Sequence, residues 1–145
     1  LEEVAISLSP QFKQTYHTFV VRGDDSIAID SYPGALAQVA TNLVTNSLMH
    51  AYSPNDQGML WFEVIQQDEH ILIQYGDDGK GIPKTILNKV FEPFFTTARD
   101  KGGTGLGLHI TYNLVTQKLQ GRMDIESEVG RGTHFNILIP RSVQT

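Results

Sequence analysis

The chain has 145 residues, a length that suits one domain with a single hydrophobic core. Its net charge is −5 and its 11 Lys and Arg side chains are scattered, so the composition speaks against nucleic-acid binding. The absence of cysteine excludes disulfides, thiolate metal sites and thiolate nucleophiles, and it fits a reducing compartment. No apolar run approaches the roughly 20 residues that span a bilayer, and we expect a cytoplasmic domain without direct membrane contact.

The first third of the chain predicts a helix, a hairpin and a second, longer helix. Residues 1 to about 13 have helical spacing, and because the opening LEEVAISL reads as the middle of a helix, we expect a fragment of a longer protein. Two β-rich runs, 15–21 and 26–30, flank a turn sequence and predict a hairpin. Pro33 begins a helix to Ala51, whose core stripe is Leu36, Val39, Ala40 and Leu43.

The rest of the chain predicts two further hairpins and two further helices. The strands are predicted at residues 59–66, 71–75, 122–127 and 133–139. A short helix is predicted from Pro83 to about Val90, and a longer one closes near Gly121 with the core face Leu108, Tyr112, Val115 and Leu119. Hairpins in succession indicate a mixed, mostly antiparallel sheet with helices on one face, which is a two-layer α/β sandwich of the α+β class.

The stretch from Phe91 to Leu108, FEPFFTTARDKGGTGLGL, is the strongest local signal for a ligand. Its glycines come immediately before an apolar-periodic helix, where backbone N–H groups and the helix start favour phosphate. The phenylalanines suggest a hydrophobic hinge that anchors the loop. Taken alone, the pattern fits a phosphate-binding loop and a flexible loop before a helix equally well.

Two other places carry polar side chains suited to a nucleotide. Asn42 and Asn46 share one helix face, which His50 extends, and an amide oxygen suits Mg²⁺ that already carries phosphate; the alternative is two surface amides. Asp77 ends a buried strand and could accept a hydrogen bond from an exocyclic amine, with room for a flat base beside Gly79 and Gly81; the alternative is an ordinary turn.

Other motifs are absent from the sequence or weak. There is no GxxxxGK[ST] sequence, which excludes a P-loop site. The remaining histidines lack the common spacing and acidic partners of a zinc site; they are His17, His70, His109 and His134. The turn from Gly130 to Gly132, followed by Thr133, has the pattern of a hairpin turn.

Five sequence motifs occur in a fixed order, and together they are a far more specific signal than any one of them alone. They are NLVTNSLMHA, DDGKGI, FEPFFTT, GGTGLGL and the closing QGRMDIESEVGRGTHFNILIP. In this order they resemble the asparagine, glycine and phenylalanine boxes of the ATP-binding catalytic domain of two-component sensor histidine kinases, within the gyrase, heat-shock chaperone and mismatch-repair ATPase superfamily. The resemblance covers about residues 30–140 and implies a Bergerat-type fold with a flexible ATP lid. GTGLGL is similar to the sensor kinases and unlike the chaperone or gyrase branch.

The resemblance implies a role for each matching position. Asp77 would bind the adenine amine with Thr133 and an ordered water, while Gly79, Gly81 and Ile82 would pack the base. Asn46 would coordinate Mg²⁺ and Asn42 would support the phosphates. Arg99 or Lys101 in the lid would approach the γ-phosphate. The phosphates would be held at the helix start by Gly103, Thr104, Gly105, Leu106, Gly107 and Leu108.

The resemblance also implies what this chain lacks. Members often carry Lys or Arg three residues after the metal-binding Asn, where this chain has Met49, so the source of positive charge on that side stays open. No histidine here has the His-(Glu/Asp)-x-x-x-Pro setting of a phosphoacceptor. We therefore expect residues 1–145 to be one ATP-binding kinase domain whose acceptor histidine lies on another domain of the same protein, in a homodimer, with a response regulator downstream. The alternatives are an anti-sigma-factor-type serine kinase and a non-catalytic ATP-binding interaction module.

Overall fold

The computed structural model describes residues 18–23, 33–52, 58–93, 95 and 107–141. The predicted N-terminal helix, the second strand of the predicted first hairpin and most of the predicted lid lie outside these residues. The elements in chain order are β1 (Thr18–Gly23), α1 (Pro33–His50), β2 (Met59–Gln67), β3 (His70–Asp77), α2 (Lys84–Leu87), α3 (Gly107–Asn113), a π-helical segment (Leu114–Lys118), β4 (Arg122–Glu128) and β5 (Gly132–Pro140).

The strands form one five-stranded sheet in the order β1-β2-β3-β5-β4. β1 pairs with β2 in parallel, whereas the other three pairs are antiparallel. The prediction of a mixed, mostly antiparallel sheet is therefore confirmed. The parallel pairing of β1 was not predicted from the sequence, because local alternation identifies a strand without identifying the neighbour to which it pairs.

One face of the sheet is buried against the helices. Alternate side chains of the two central strands are fully or almost fully buried, namely Ile71, Ile73, Tyr75, Phe135, Ile137 and Ile139. They share one hydrophobic core with Leu43 and Val44 of α1 and with Val115 of the π-helical segment. On the opposite face, Gln74 donates to Asn136 (3.1 Å), which donates to Asp124 (2.9 Å). The two-layer arrangement is therefore confirmed, with an apolar face toward the helices and a polar cross-strand row away from them.

The helix after residue 107 differs from its predicted core face. Leu108, Val115 and Leu119 are buried as predicted, but Tyr112 is 38% exposed and Thr111 takes the buried position. Burial of Thr111 is possible because its hydroxyl donates to the carbonyl of Gly107 at 2.8 Å. Beyond Asn113 the helix continues with wider π-type turns rather than as a regular α-helix.

The short helix predicted from Pro83 to about Val90 is shorter than expected. α2 ends at Leu87, and the chain continues through turns in which Lys89 N–H bonds to the Ile86 carbonyl (2.9 Å) and Glu92 N–H to the Lys89 carbonyl (3.0 Å).

Among the described residues, no helix combines the length and apolar character needed to cross a membrane.

Candidate functional site

Asp77 lies at the carboxyl end of β3, and its side chain is 2% exposed. The alternation that buries Ile71, Ile73 and Tyr75 also turns Asp77 toward the helices. Its Oδ2 accepts a hydrogen bond from the Ser47 hydroxyl at 2.7 Å, and its Oδ1 accepts from the backbone N–H groups of Gly79 (3.0 Å) and Thr133 (3.3 Å). The carboxylate is thus held in one orientation by groups from three separate elements.

Burial raises the pKa of Asp77 above its ordinary value, and the nearby charge of Asp78 acts in the same direction. The hydrogen bonds from Ser47, Gly79 and Thr133 oppose this rise in pKa because they stabilise the ionised form. A carboxyl group whose pKa is raised in the folded state lowers the free energy of unfolding at neutral pH, and such groups are candidates for binding sites.

Ser47 connects Asp77 to the core through a chain of hydroxyl groups. The hydroxyl of Tyr75 donates to Ser47 Oγ at 2.7 Å, and Ser47 donates in turn to Asp77. Burial raises the pKa of Tyr75 well above its ordinary value, so this hydroxyl keeps its proton and acts as a donor at neutral pH. Ser47 was not predicted as a site residue, although its place next to Asn46 on the buried side of α1 is the signal that could have indicated it.

The loop after Asp77 is fixed against the end of α1. Asp78 Oδ1 accepts from the Tyr52 hydroxyl (2.7 Å) and from Met59 N–H (2.9 Å), and Lys80 N–H bonds to the Ala51 carbonyl (2.9 Å). A Cβ added at Gly79 would overlap Ala51. Gly79 therefore lets the loop pack closely against the end of α1, and its predicted place beside a base stays a prediction.

A cavity of about 350 Å³ opens beside this loop. It is lined by Asn46, His50, Lys80, Gly81, Ile82, Pro83, Ile86, Val90, Phe95, Leu108 and Val129. Apolar side chains dominate the lining, with Asn46, His50 and Lys80 as the polar side chains. A mostly apolar cleft of this volume with a few polar groups is typical of a small-ligand site.

The cavity brings together residues that were predicted from distant parts of the sequence. Asn46, His50, Gly81, Ile82 and Leu108 all line it. Asp77, Gly79 and Thr133 do not line it; they are hydrogen-bonded to one another at the end of β3, immediately before the lining residues 80–82. Ile86, Val90 and Phe95 were not predicted as lining residues, because apolar side chains on short turns have no local pattern that marks a pocket.

Asn42 connects α1 with the first residue of α3. Its Oδ1 accepts from Gln38 Nε2 at 2.7 Å, and its Nδ2 approaches the Gly107 carbonyl at 3.5 Å, the outer limit of a hydrogen bond. Gly107 is exposed, and a Cβ there would meet nothing within 4 Å. The other predicted residues of this region lie outside the described part of the chain: Arg99, Lys101, Gly103, Thr104, Gly105 and Leu106.

Two contacts join the chain on either side of residues 92–106. The ring nitrogen Nδ1 of His109 lies 3.2 Å from the carbonyl oxygen of Phe91, and the rings of Phe91 and Tyr112 have centroids 5.2 Å apart. The second nitrogen of His109 faces Asn113 Nδ2 at 3.3 Å. Because the Asn113 amide nitrogen is a donor, Nε2 accepts and Nδ1 carries the proton that is donated to Phe91.

The described residues contain no cluster of three or more His, Asp or Glu side chains that could hold a metal ion. Asn46 at the cavity wall has a neutral oxygen that suits a hard cation already bound to phosphate and water. The described residues therefore fit a metal ion that binds together with a phosphate-bearing ligand better than a metal ion held by protein carboxylates alone.

Comparison with known proteins agrees with this architecture. The catalytic domain of the histidine kinase ThkA superposes with a TM-score of 0.81 at 25% sequence identity, covering 98% of this chain and 92% of that chain. The sensor kinase CckA of Brucella abortus is 34% identical over 134 residues, and sporulation kinase A of Bacillus subtilis is 39% identical over 118 residues. These matches cover 84% and 81% of this chain, which spans 14% and 18% of the two relatives.

Residues 32–143 match the family model of the histidine kinase-, DNA gyrase B- and HSP90-like ATPases. The match includes α1, all four strands from β2 onward and every described residue of the candidate site. The chain therefore belongs to the family of histidine kinase-, DNA gyrase B- and HSP90-like ATPases.

Proposed function

We propose that this domain binds Mg-ATP and donates its γ-phosphate to a histidine on a separate domain of the same protein, as part of two-component signalling. The observation that carries the proposal is the buried, oriented carboxylate of Asp77, which comes three residues before the loop Lys80–Ile82 that lines an apolar cavity together with Asn46. CckA and sporulation kinase A support the same reading, since each matches this chain over more than four fifths of its length.

The adenine is proposed to lie between the loop after β3 and the apolar cavity wall. Asp77 would accept a hydrogen bond from the exocyclic amine, and Thr133 would contribute its hydroxyl beside that carboxylate. Gly81 and Ile82 would border the base, with the Ile82 side chain packed against its face. His50 would line the same pocket.

The phosphates and Mg²⁺ are proposed to lie between α1 and the start of α3. Asn46 would offer its amide oxygen to the ion, whose chemical contribution is to neutralise charge on the phosphates. Asn42 would support this arrangement through its contact with Gly107. The proposal extends to the helix start at Leu108 and, outside the described residues, to 103–106 and to Arg99 or Lys101 near the γ-phosphate.

The transfer step requires an acceptor that this chain does not supply. An imidazole nitrogen of the acceptor histidine would attack the γ-phosphorus, the bond to the β–γ bridging oxygen would break, and ADP would leave. We propose that the acceptor lies on a phosphoacceptor domain of the same protein in a homodimer, and that a response regulator acts downstream. ThkA has been solved in complex with the response regulator protein TrrA, which supports this class of partner.

The test of this function has two stages. Mg-ADP at about 100 times its Kd should stabilise the domain by about 2.7 kcal/mol, which is seen as a rise in the melting temperature. Labelled ATP should then transfer its γ-phosphate, in trans, to a helical hairpin bearing a phosphoacceptor histidine. An unchanged melting temperature at millimolar nucleotide would contradict ATP binding. Transfer to a serine-bearing partner, or binding without any transfer, would favour the two alternative functions instead.

Asn46→Ala should separate metal binding from base binding. We expect the variant to lose on the order of tenfold or more in affinity for ATP with Mg²⁺, the effect of removing one contact to a charged group. Affinity for adenosine, which carries no phosphate, should stay within a factor of about two. Titration calorimetry with Mg²⁺ and with EDTA measures both effects, and an equal loss for adenosine would show that Asn46 contacts the base instead.

A further inference from the structure

Lys80 is the only Lys or Arg among the described residues that line the cavity. It is exposed, and no carboxylate of the described residues forms a salt bridge with its ammonium group. The acidic residue closest to it in the sequence is Asp78, whose Oδ1 accepts from the Tyr52 hydroxyl (2.7 Å) and from Met59 N–H (2.9 Å). The ammonium group of Lys80 is therefore available to an anion that enters the cavity.

Backbone hydrogen bonds fix the place from which this side chain extends. Lys80 N–H donates to the Ala51 carbonyl just after α1 (2.9 Å), and the Lys80 carbonyl accepts from Gly130 N–H in the turn between β4 and β5 (2.9 Å). The next residue, Gly81, has φ of +77°, and a Cβ added there would overlap the Glu128 carbonyl. The backbone of Lys80 is thus held against two elements, while its flexible four-carbon stem lets the ammonium group follow a ligand.

The two helices beside the proposed phosphate site provide no comparable charge. Neither α1 nor α3 contains a Lys or Arg within its bounds. Two carboxyl groups, those of Asp77 and Asp78, lie just before Lys80 in the sequence, and the chain has a net charge of −5. Because like charges repel, a phosphate chain in these surroundings requires a compensating cation. Among the described residues, Lys80 is the cation that lines the same cavity as Asn46.

We infer that Lys80 binds the phosphate chain of the nucleotide, with its ammonium group donating to phosphate oxygens in the cavity that Asn46 and His50 also line. This inference rests on the proposed function. It adds a phosphate contact from a loop that otherwise borders the base, and it assigns to Lys80 the role of a mobile point charge.

The test measures the binding of ADP and of adenosine by titration calorimetry in the presence of Mg²⁺. Lys80→Gln removes the charge and should weaken ADP binding by about tenfold, the effect of losing one contact between charged groups. Adenosine carries no phosphate, so its affinity for the variant should stay within about twofold of wild type. Lys80→Arg keeps the positive charge and should keep ADP affinity within about threefold of wild type.

Salt dependence provides a second measurement of the same contact. Raising the ionic strength from about 0.01 M to about 0.15 M shortens the range over which charges interact. ADP binding should therefore weaken more for the wild-type domain than for Lys80→Gln, which lacks the charge that salt screens. An identical salt dependence of the two proteins would contradict a direct contact between Lys80 and phosphate.

Lys84→Gln is the matched control for the loss of charge. Lys84 is also an exposed lysine, four residues further along the chain, but it lines no part of the cavity, so ADP affinity should change by less than about twofold. Both lysines are on the surface, so the melting temperatures of the ligand-free variants should stay close to that of wild type.

The outcomes separate this role from the proposed function. The role of Lys80 would be overturned by unchanged ADP affinity in Lys80→Gln, by an equal loss for adenosine, or by an equal loss in Lys84→Gln. In each of these cases the wild-type domain still binds ADP, and nucleotide binding stands. A wild-type domain that binds no ADP would instead refute the proposed function, and with it this inference.

Discussion

Asp77→Asn should remove most nucleotide binding while leaving the fold intact. The Asn carbonyl oxygen can still accept from Gly79 and Thr133 N–H, but the amide nitrogen then replaces the oxygen that faces Ser47. A charged acceptor for the base amine is lost, and affinity for ADP should fall by a factor on the order of 100. Calorimetric titration measures this, and an unaltered affinity would show that the base binds elsewhere.

The same substitution should leave the ligand-free domain as stable as wild type or more stable, with a pH-dependent difference. The pKa of Asp77 is raised above its ordinary value of 3.8, so the folded domain holds this proton more tightly than the unfolded chain. The resulting stability is present below about pH 4 and is lost as the pH rises through the raised pKa. Asn does not titrate, so the advantage of the variant should grow between about pH 4 and neutrality.

Urea unfolding of both proteins across this pH range tests the expectation. Tyr52 and Tyr75 do not ionise in this pH range in either protein, because burial raises the pKa of each above its ordinary value. A stability difference that does not change with pH would show that Asp77 has the same proton affinity in the folded and unfolded states. A variant that unfolds at every pH would show that the Ser47 hydrogen bond requires a carboxylate.

Gly132→Ala should be the most damaging single methyl addition in the β4–β5 hairpin. Gly132 has φ of +109°, a region that side chains disfavour, and an added Cβ would overlap the backbone carbonyl of Asp77. Either β5 moves away from β3 or the end of β3 shifts, and both changes displace Asp77 from Thr133. We expect a loss of about 3 kcal/mol or more in the free energy of unfolding.

Gly130→Ala is the matched control for that substitution. Gly130 also has a positive φ, +86°, but an added Cβ would meet nothing within 4 Å. It should therefore cost only the conformational term, about 1 kcal/mol, with little change in nucleotide affinity. Denaturant unfolding of both variants isolates the effect of close packing against Asp77. Equal losses would contradict it.

The strands could be predicted from the sequence because a sheet that is buried on one face requires apolar and polar residues to alternate along each strand. Phe135, Ile137 and Ile139 alternate with polar residues, and that alternation follows directly from a sheet buried on one face. Pro33 likewise marks the start of α1, where its missing N–H costs nothing. The prediction that Tyr112 lies on the core face was wrong. Thr111 and Tyr112 are adjacent at the border of that face, and tertiary contacts, which the spacing of apolar residues does not show, decide which of the two is buried.

The motifs of the candidate site could be recognised in the sequence, but the residue that holds Asp77 in its orientation could not. Asp77 and Asn46 stand out only as members of the ordered motifs, because taken alone each fits an ordinary turn or an exposed helix face. Ser47 does not stand out, because serine is common in every environment and its role depends on what lies opposite. Only its distance to Asp77 identifies it, and that contact joins residues 30 positions apart.

The His109–Phe91 hydrogen bond and the Phe91–Tyr112 ring contact have a consequence for how this chain could diverge. They join Phe91 to α3 and so hold together the parts of the chain on either side of residues 92–106. For a loop whose ends are already pinned, each doubling of length costs only about 0.6 kcal/mol in closure entropy. The stability of the fold should therefore tolerate insertions between these anchors far better than substitutions at the anchors, so the segment can grow in length without redesign of the domain.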